Sequence, residues 1–163
     1  MTLEIRPATH DDLSGILRAD EVAVREERRH DYVSGAISGV MGREVKVLTS
    51  DGSLMGYSIT GEFFGYPFLE RIFTEPEERR RGVATTIMTN LELEFLGDRL
   101  FVSTNESNTP MRTLLVKRGY RVSGMIENLD PGDPELIFVL FRPDPDVVAR
   151  VLNRLGSDDG NLA

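Results

Sequence analysis

Phe68-Leu69-Glu70-Arg71-Ile72-Phe73-Thr74 and, shortly after it, Arg79-Arg80-Arg81-Gly82-Val83-Ala84 join an apolar strand pattern to an amphipathic helix pattern through a basic, glycine-containing turn. Pro76, between the two, lacks the backbone donor that a continuing ladder needs, so the strand ends before it. Past the turn, Val83, Ile87, Leu91 and Phe95 recur at every fourth position, and Ala84 and Met88 widen the stripe. This spacing predicts a helix from about Gly82 to Phe95 with one buried face, docked on a sheet. A helix start offers unpaired N–H groups and the positive end of the macrodipole, which suits a diphosphate. Gly82 lets the backbone approach closely, and the arginines can add charge-assisted bonds. A solvated arginine run at a helix start would look the same in isolation, so the neighbouring segments must decide.

The chain has 163 residues and is 40% hydrophobic, enough for one domain with a sizeable core. Its net charge of −8 argues against a nucleic-acid backbone as the main ligand, because such binding is driven by a basic surface. With no cysteine and only His10 and His30 as histidines, a thiolate metal site, a disulfide framework or a Ser-His-Asp triad has little to build on; no metal is expected. No signal-like or membrane-spanning apolar run is present, which leads us to expect a cytoplasmic protein with no membrane partner.

Leu3 to Pro7 alternates as a short opening strand, and the apolar spacing from Asp11 to about Arg28 predicts a helix. A second helix is expected from about Asp31 to Val40, with Gly35 and Gly39 weakening it. Glu44 to Thr49 and Leu54 to Phe64 read as a hairpin closed by Asp51-Gly52, feeding the strand before Arg79. Gly56 and Gly61 within that hairpin fit either a bulge or a close backbone approach. Leu100 to Thr104 is a buried-strand pattern. Asn105 to Asn108 makes a polar turn, and Thr109 to Arg118 a short helix with Pro110 in its first turn and Gly119 closing it.

The run Asn108-Thr109-Pro110-Met111-Arg112-Thr113-Leu114-Leu115-Val116-Lys117-Arg118-Gly119-Tyr120 resembles the second signature of the GNAT superfamily of acetyl-coenzyme A-dependent N-acetyltransferases, in which Asn opens a helix that ends in Gly and an aromatic residue. Arg79, Gly82 and Ala84 likewise fill that family's phosphate-binding pattern of Arg or Gln, two residues, Gly, one residue, then Gly or Ala. Two short signatures in the right order, each on a strand-to-helix junction, carry more weight than either alone. The resemblance covers Leu3 to Phe141.

That resemblance implies an α/β (α+β) fold, a mixed and mostly antiparallel central sheet flanked by helices, over residues 1–142. It implies an acyltransferase moving acetyl from acetyl-coenzyme A to a small-molecule or peptide amine, by direct attack of the neutral amine. The cofactor would be held by Phe73, Thr74, Arg79, Arg80, Arg81, Gly82, Val83, Ala84, Thr85, Asn108 and Leu115. Backbone N–H groups at Phe73 or Thr74 would face the developing oxyanion. Glu70, on the strand before the loop, is the first candidate for the base that deprotonates the amine; an exposed strand residue paired with an arginine is the alternative reading. Many family members carry a tyrosine acid four residues before the glycine, where this chain has Leu115. Ser107, Thr104, Asn108 and Tyr120 are the nearby polar substitutes. That departure keeps a non-catalytic acyl-coenzyme A sensor as the alternative.

Arg121 to Ile126 and Leu136 to Phe141 read as paired strands joined by Asp130-Pro131-Gly132-Asp133-Pro134. Glu127, Asp130, Asp133 and Glu135 on this hairpin form an acidic lip, either a solvated turn or a site for a cationic acceptor. Asp144 to Leu155 has helical spacing, within a tail of residues 143–163, and can dock on its own domain or on a second copy as a homodimer.

Overall fold

The computed structural model describes residues 2–20, 27–144, 146, 149–150 and 152–153. In chain order its elements are β1 (Leu3–Pro7), α1 (His10–Ala19), α2 (Glu27–Ile37), β2 (Glu44–Ser50), β3 (Ser53–Phe63) and β4 (Tyr66–Thr74), then α3 (Val83–Glu94), β5 (Arg99–Asn105), α4 (Thr109–Lys117), β6 (Arg121–Ile126) and β7 (Glu135–Phe141). Short 3-10 turns lie at Val40–Gly42 and Pro76–Glu78. The strands form one sheet in the order β1-β2-β3-β4-β5-β7-β6. Every neighbouring pair is antiparallel except β4 with β5, which is parallel. The mixed, mostly antiparallel sheet flanked by helices is therefore the architecture that the family resemblance implied.

Alternation along the strands sends apolar side chains to both faces, and each face is covered by a helix pair. On one, Ile16 of α1 with Val33 and Ala36 of α2 pack on Val45, Val47, Tyr57 and Ile59. On the other, Met88 of α3 with Met111 and Leu115 of α4 pack on Leu69, Leu100, Val102 and Phe138. The N-terminal half of α3 extends this layer through Val83 and Ile87 onto Leu48 and Met55. The hairpin turns at Asp51-Gly52 and Phe64-Gly65 both hold left-handed φ values at each central residue, matching the right-handed twist of the strands they join.

The N-terminal helices differ from the sequence pattern. The helix expected from Asp11 to Arg28 ends at Ala19, because Asp20 leaves it in an extended conformation (φ −86°, ψ 96°) and turns into the core. There its carboxylate accepts from the Tyr57 hydroxyl at 2.5 Å and pairs with Arg71. Val22, Ala23 and Val24 lie outside the described residues. The next helix spans Glu27–Ile37 rather than starting at Asp31. Half of the terminal helix expected from Asp144 to Leu155 also falls outside the described residues; Asp146, Ala149, Arg150, Leu152 and Asn153 within it are helical. At the start of α1, both terminal guanidinium nitrogens of Arg6 reach Asp12 at 2.8 Å, and the Thr9 N–H donates to the same carboxylate. The Arg6 contact, with the Thr9 bonds, holds the Asp12 carboxyl down at about 2 despite partial burial.

Gly56 fixes how close α3 comes to the sheet. A Cβ there would lie 2.5 Å from the Phe73 carbonyl oxygen and 2.9 Å from Val83 Cγ1. Neither backbone nor a packed helix residue can yield cheaply, so Gly56→Ala is expected to destabilise the fold by about 1–3 kcal/mol. Urea denaturation checks this; an unchanged midpoint would mean that α3 slides freely on β3.

Candidate functional site

The site begins where the central ladder stops. β4 and β5 pair only at Phe68 with Phe101 and at Leu69 with Val102. Past that point each strand keeps its antiparallel partner on the outer side, β3 for β4 and β7 for β5, and the two diverge. A bulge begins the divergence: Arg71 lies opposite Ile59 and Leu69 opposite Thr60, leaving Glu70 as the extra residue. A bulge bends its strand and turns two consecutive side chains to one side. Here Glu70 bonds to Tyr32 of α2 and Arg71 to Asp20 after α1, both on the same face.

Strand geometry then settles which amides face the gap. The Glu75 N–H donates to the Met55 carbonyl at 2.9 Å, so the alternation turns the Phe73 amide towards β3 as well. The amides of Ile72 and Thr74 point the other way, towards β5. Of the two amides expected to face the gap, Phe73 or Thr74, the structure turns that of Phe73 to β3 and leaves that of Thr74, together with that of Ile72, towards the gap. On the facing strand the same reasoning, from the Glu106 N–H to the Pro134 carbonyl, leaves Ser103 and Asn105 with their backbone groups towards the gap.

A cleft of about 1100 Å³ runs through this gap. At one end stand Arg79, Ala84, Asn108 and Pro110. Gly82 caps α3 with φ 82°, a left-handed value that any other residue adopts only under strain, and the first-turn amides of Val83, Ala84 and Thr85 have no intrahelical acceptor. The Asn108 side chain accepts from the Met111 N–H at 3.3 Å and so caps α4. Arg79 lines the cleft, whereas Arg80 and Arg81 do not, and Arg81 is tied to Glu78 at 2.8 Å. The Val83 side chain is core, so only its amide is available to a ligand.

Leu115 is the clearest correction. Expected beside a thiol, it is completely buried among Leu69, Met88 and Phe138 and forms no part of the cleft wall. Pro110, Met111 and Leu114 line the cleft instead, with no hydroxyl among them. Tyr120 is no substitute acid, since its hydroxyl is buried and bonded to Glu92 of α3. Ser107 is engaged by Asp133.

At the other end, the carboxylate of Glu70 accepts from Arg43 Nε at 2.8 Å and from the Tyr32 hydroxyl at 2.7 Å. The acidic lip divides. Glu127 and Asp133 do not line the cleft, and Asp133 instead accepts from the Ser107 amide at 2.9 Å and hydroxyl at 2.6 Å. Asp130 and Glu135 do line it. Asp130 accepts from Asn105 Nδ2 at 2.9 Å. Burial pushes the Glu135 carboxyl up, Asp130 and Asp133 add to this, and the Ser103 hydrogen bond and Arg29 oppose it. Arg29, Tyr32, Arg43 and Arg71, none foreseen in the sequence, complete this end. Nothing local marks them: they reach the cleft only through the bulge and the packing of α2.

The sequence profile of the acetyltransferase (GNAT) family matches residues 11–120, and the chain belongs to that family. It is similar to a GNAT-family acetyltransferase from Bacillus cereus ATCC 10987, at 32% identity over 88% of this chain and 100% of that one, with a TM-score of 0.76. The fold is shared at 17% identity with the ribosomal-protein-S18-alanine N-acetyltransferase of Escherichia coli, over 86% and 94% of the two chains (TM-score 0.68). It is shared at 16% identity with the PaiA N-acetyltransferase of Thermoplasma acidophilum in complex with coenzyme A, over 87% and 100% (TM-score 0.67). No curated protein matches the sequence. Among the described residues no helix is long and apolar enough to cross a membrane, and no cluster of acidic and histidine side chains is arranged for a metal ion.

Because its folded-state pKa is raised, Glu135 keeps a proton that the unfolded chain has already released. Its contribution to stability therefore falls as pH rises from the ordinary carboxylate value through the raised one. Glu135→Gln is expected to raise the melting temperature relative to the native chain at neutral pH, with the gain vanishing below about pH 4. Paired thermal melts across pH check the sign.

Proposed function

We propose that the protein is an N-acetyltransferase that moves acetyl from acetyl-coenzyme A to a primary amine by direct attack. The observation carrying this reading is the gap between β4 and β5, flanked by a helix start suited to phosphate at one end and a half-buried carboxylate at the other. The donor set fits the cofactor: first-turn amides of α3 and Arg79 for the pyrophosphate, and strand amides for a chain carrying amides of its own. When bound, acetyl-coenzyme A supplies the acyl group as a thioester, whose thiol, with a pKa near ~8.5, leaves without a dedicated acid.

The residues of this chain do the rest. The Ile72 and Thr74 amides donate where negative charge develops on the acyl oxygen. Glu70 was the first candidate for the base, but its carboxylate is committed to Arg43 and Tyr32. Glu135 is the better choice, because a carboxyl shifted upward is a stronger base near neutral pH. It takes the proton from the acceptor's ammonium, directly or through a water, leaving the neutral amine that attacks.

Gly82→Asp places both a strained backbone and a like charge at the phosphate end. It is expected to weaken coenzyme A binding at least about tenfold, as read by calorimetry. Thiol release from acetyl-coenzyme A over an amine panel tests the activity; stabilisation by the cofactor without turnover would favour a sensor. Glu135→Gln is expected to lower kcat by about 10²- to 10⁴-fold. It should also abolish the acidic limb of kcat/KM. An unaltered pH profile would remove Glu135 from the chemistry.

A further inference from the structure

The far end of the cleft carries both signs of charge, on opposite walls. Arg29, Arg43 and Arg71 stand on the α2 and β4 side, and Asp130 and Glu135 on the hairpin side. The arginines are not equivalent. Arg43 is neutralised by Glu70, and Arg71 by the buried Asp20. Arg29 has no ion-pair partner among the described residues; its guanidinium lies 5.9 Å from the centre of the Tyr32 ring. It is close enough to Glu135 to oppose the upward shift of that carboxyl, yet the two form no ion pair. A guanidinium without an ion pair among the described residues and a half-buried carboxylate thus line the same open cleft.

From this juxtaposition we infer that the acceptor is a small zwitterion, an amino acid whose carboxylate is held by Arg29 while its amine is presented at Glu135. The inference rests on the acetyltransferase reading for the direction in which the amine points. It replaces the purely cationic acceptor that the hairpin carboxylates suggested, since Glu127 and Asp133 do not line the cleft. A guanidinium suits this task, because its planar fork matches a carboxylate with two parallel hydrogen bonds. The two poles also discriminate: an amine lacking the acid leaves Arg29 uncompensated, and an acid lacking the amine leaves Glu135 so. Tyr32 and Arg43 hold the neighbouring wall rigid through the bonds to Glu70, so the separation of the poles is set by the fold.

The test uses the full chain with free L-amino acids, each paired with its own α-amide, in the native protein and in Arg29→Gln. Arg29 packs against no core cluster, so this variant should fold. The native protein should acetylate the acids at least about tenfold more efficiently than the matched amides. Arg29→Gln should erase that preference by raising KM for the acids, with kcat changing less than about twofold and the amides unaffected. Equal use of acids and amides by the native protein would overturn the inference, as would an equal loss for both in the variant. Calorimetric titration of the same pairs, with coenzyme A present, separates the two claims. Acid binding that depends on Arg29 without any turnover would sink the acetyltransferase reading and leave the zwitterion site standing; no acid-over-amide preference in binding would sink the site itself.

Discussion

Backbone N–H and C=O groups inside a protein must find partners, and a sheet that splits at its centre leaves several without them. β4 and β5 part after Leu69 and Val102, so that Ile72 and Thr74 on one strand, and Ser103 and Asn105 on the other, face open space. Everything around the split adapts to it. α3 and α4 close one side of the sheet below it, while α1 and α2 close the other. The cleft is therefore the place where the sheet still lacks a strand. Only a molecule that is extended and itself polar along its length can complete it.

The bulge at Glu70 makes the split rigid as well as open. It places Glu70 and Arg71 side by side and gives each an opposite charge to hold. Arg71, Asp20 and the Tyr57 hydroxyl form a buried cluster, and burial drives the Tyr57 hydroxyl pKa upward, so it stays a donor. Such clusters add little net stability, yet removing one partner costs about 3–5 kcal/mol, because a charge is then stranded out of water. Gly61 has the matching constraint on the opposing strand: a Cβ there would fall 2.1 Å from Glu70 Oε1. The floor of this end of the cleft is thus specified by Asp20, Tyr57 and Gly61, which lie behind its lining residues.

Much of this was legible in the sequence, and the boundary between what was and what was not is physical. Local rules found the strands, the α3 and α4 helices and the Asp51-Gly52 turn, because each depends on residues close in the chain. The helix after Pro7 was overrun, because its end is set by Asp20 reaching Arg71, a partner far along the chain. Leu115 was misplaced by one residue on a helix whose face turns about 100° per residue; Pro110, Met111 and Leu114 reach the cleft, while Leu115 lies wholly in the core. The hairpin carboxylates looked equivalent as a string. Burial, which depends on the neighbouring strand, sets Glu135 apart.

The bonds of Asp130 to Asn105 and of Asp133 to Ser107 tie the acceptor hairpin to the turn that leads into α4. Asn108, the cap of that helix, stands at the opposite end of the cleft, so the two binding regions share a single short strut. A ligand that draws Asp130 inward also draws on the start of α4. If the seating of one ligand shifts this strut, thermodynamic reciprocity requires that a ligand at the other end change the first one's affinity by the same factor.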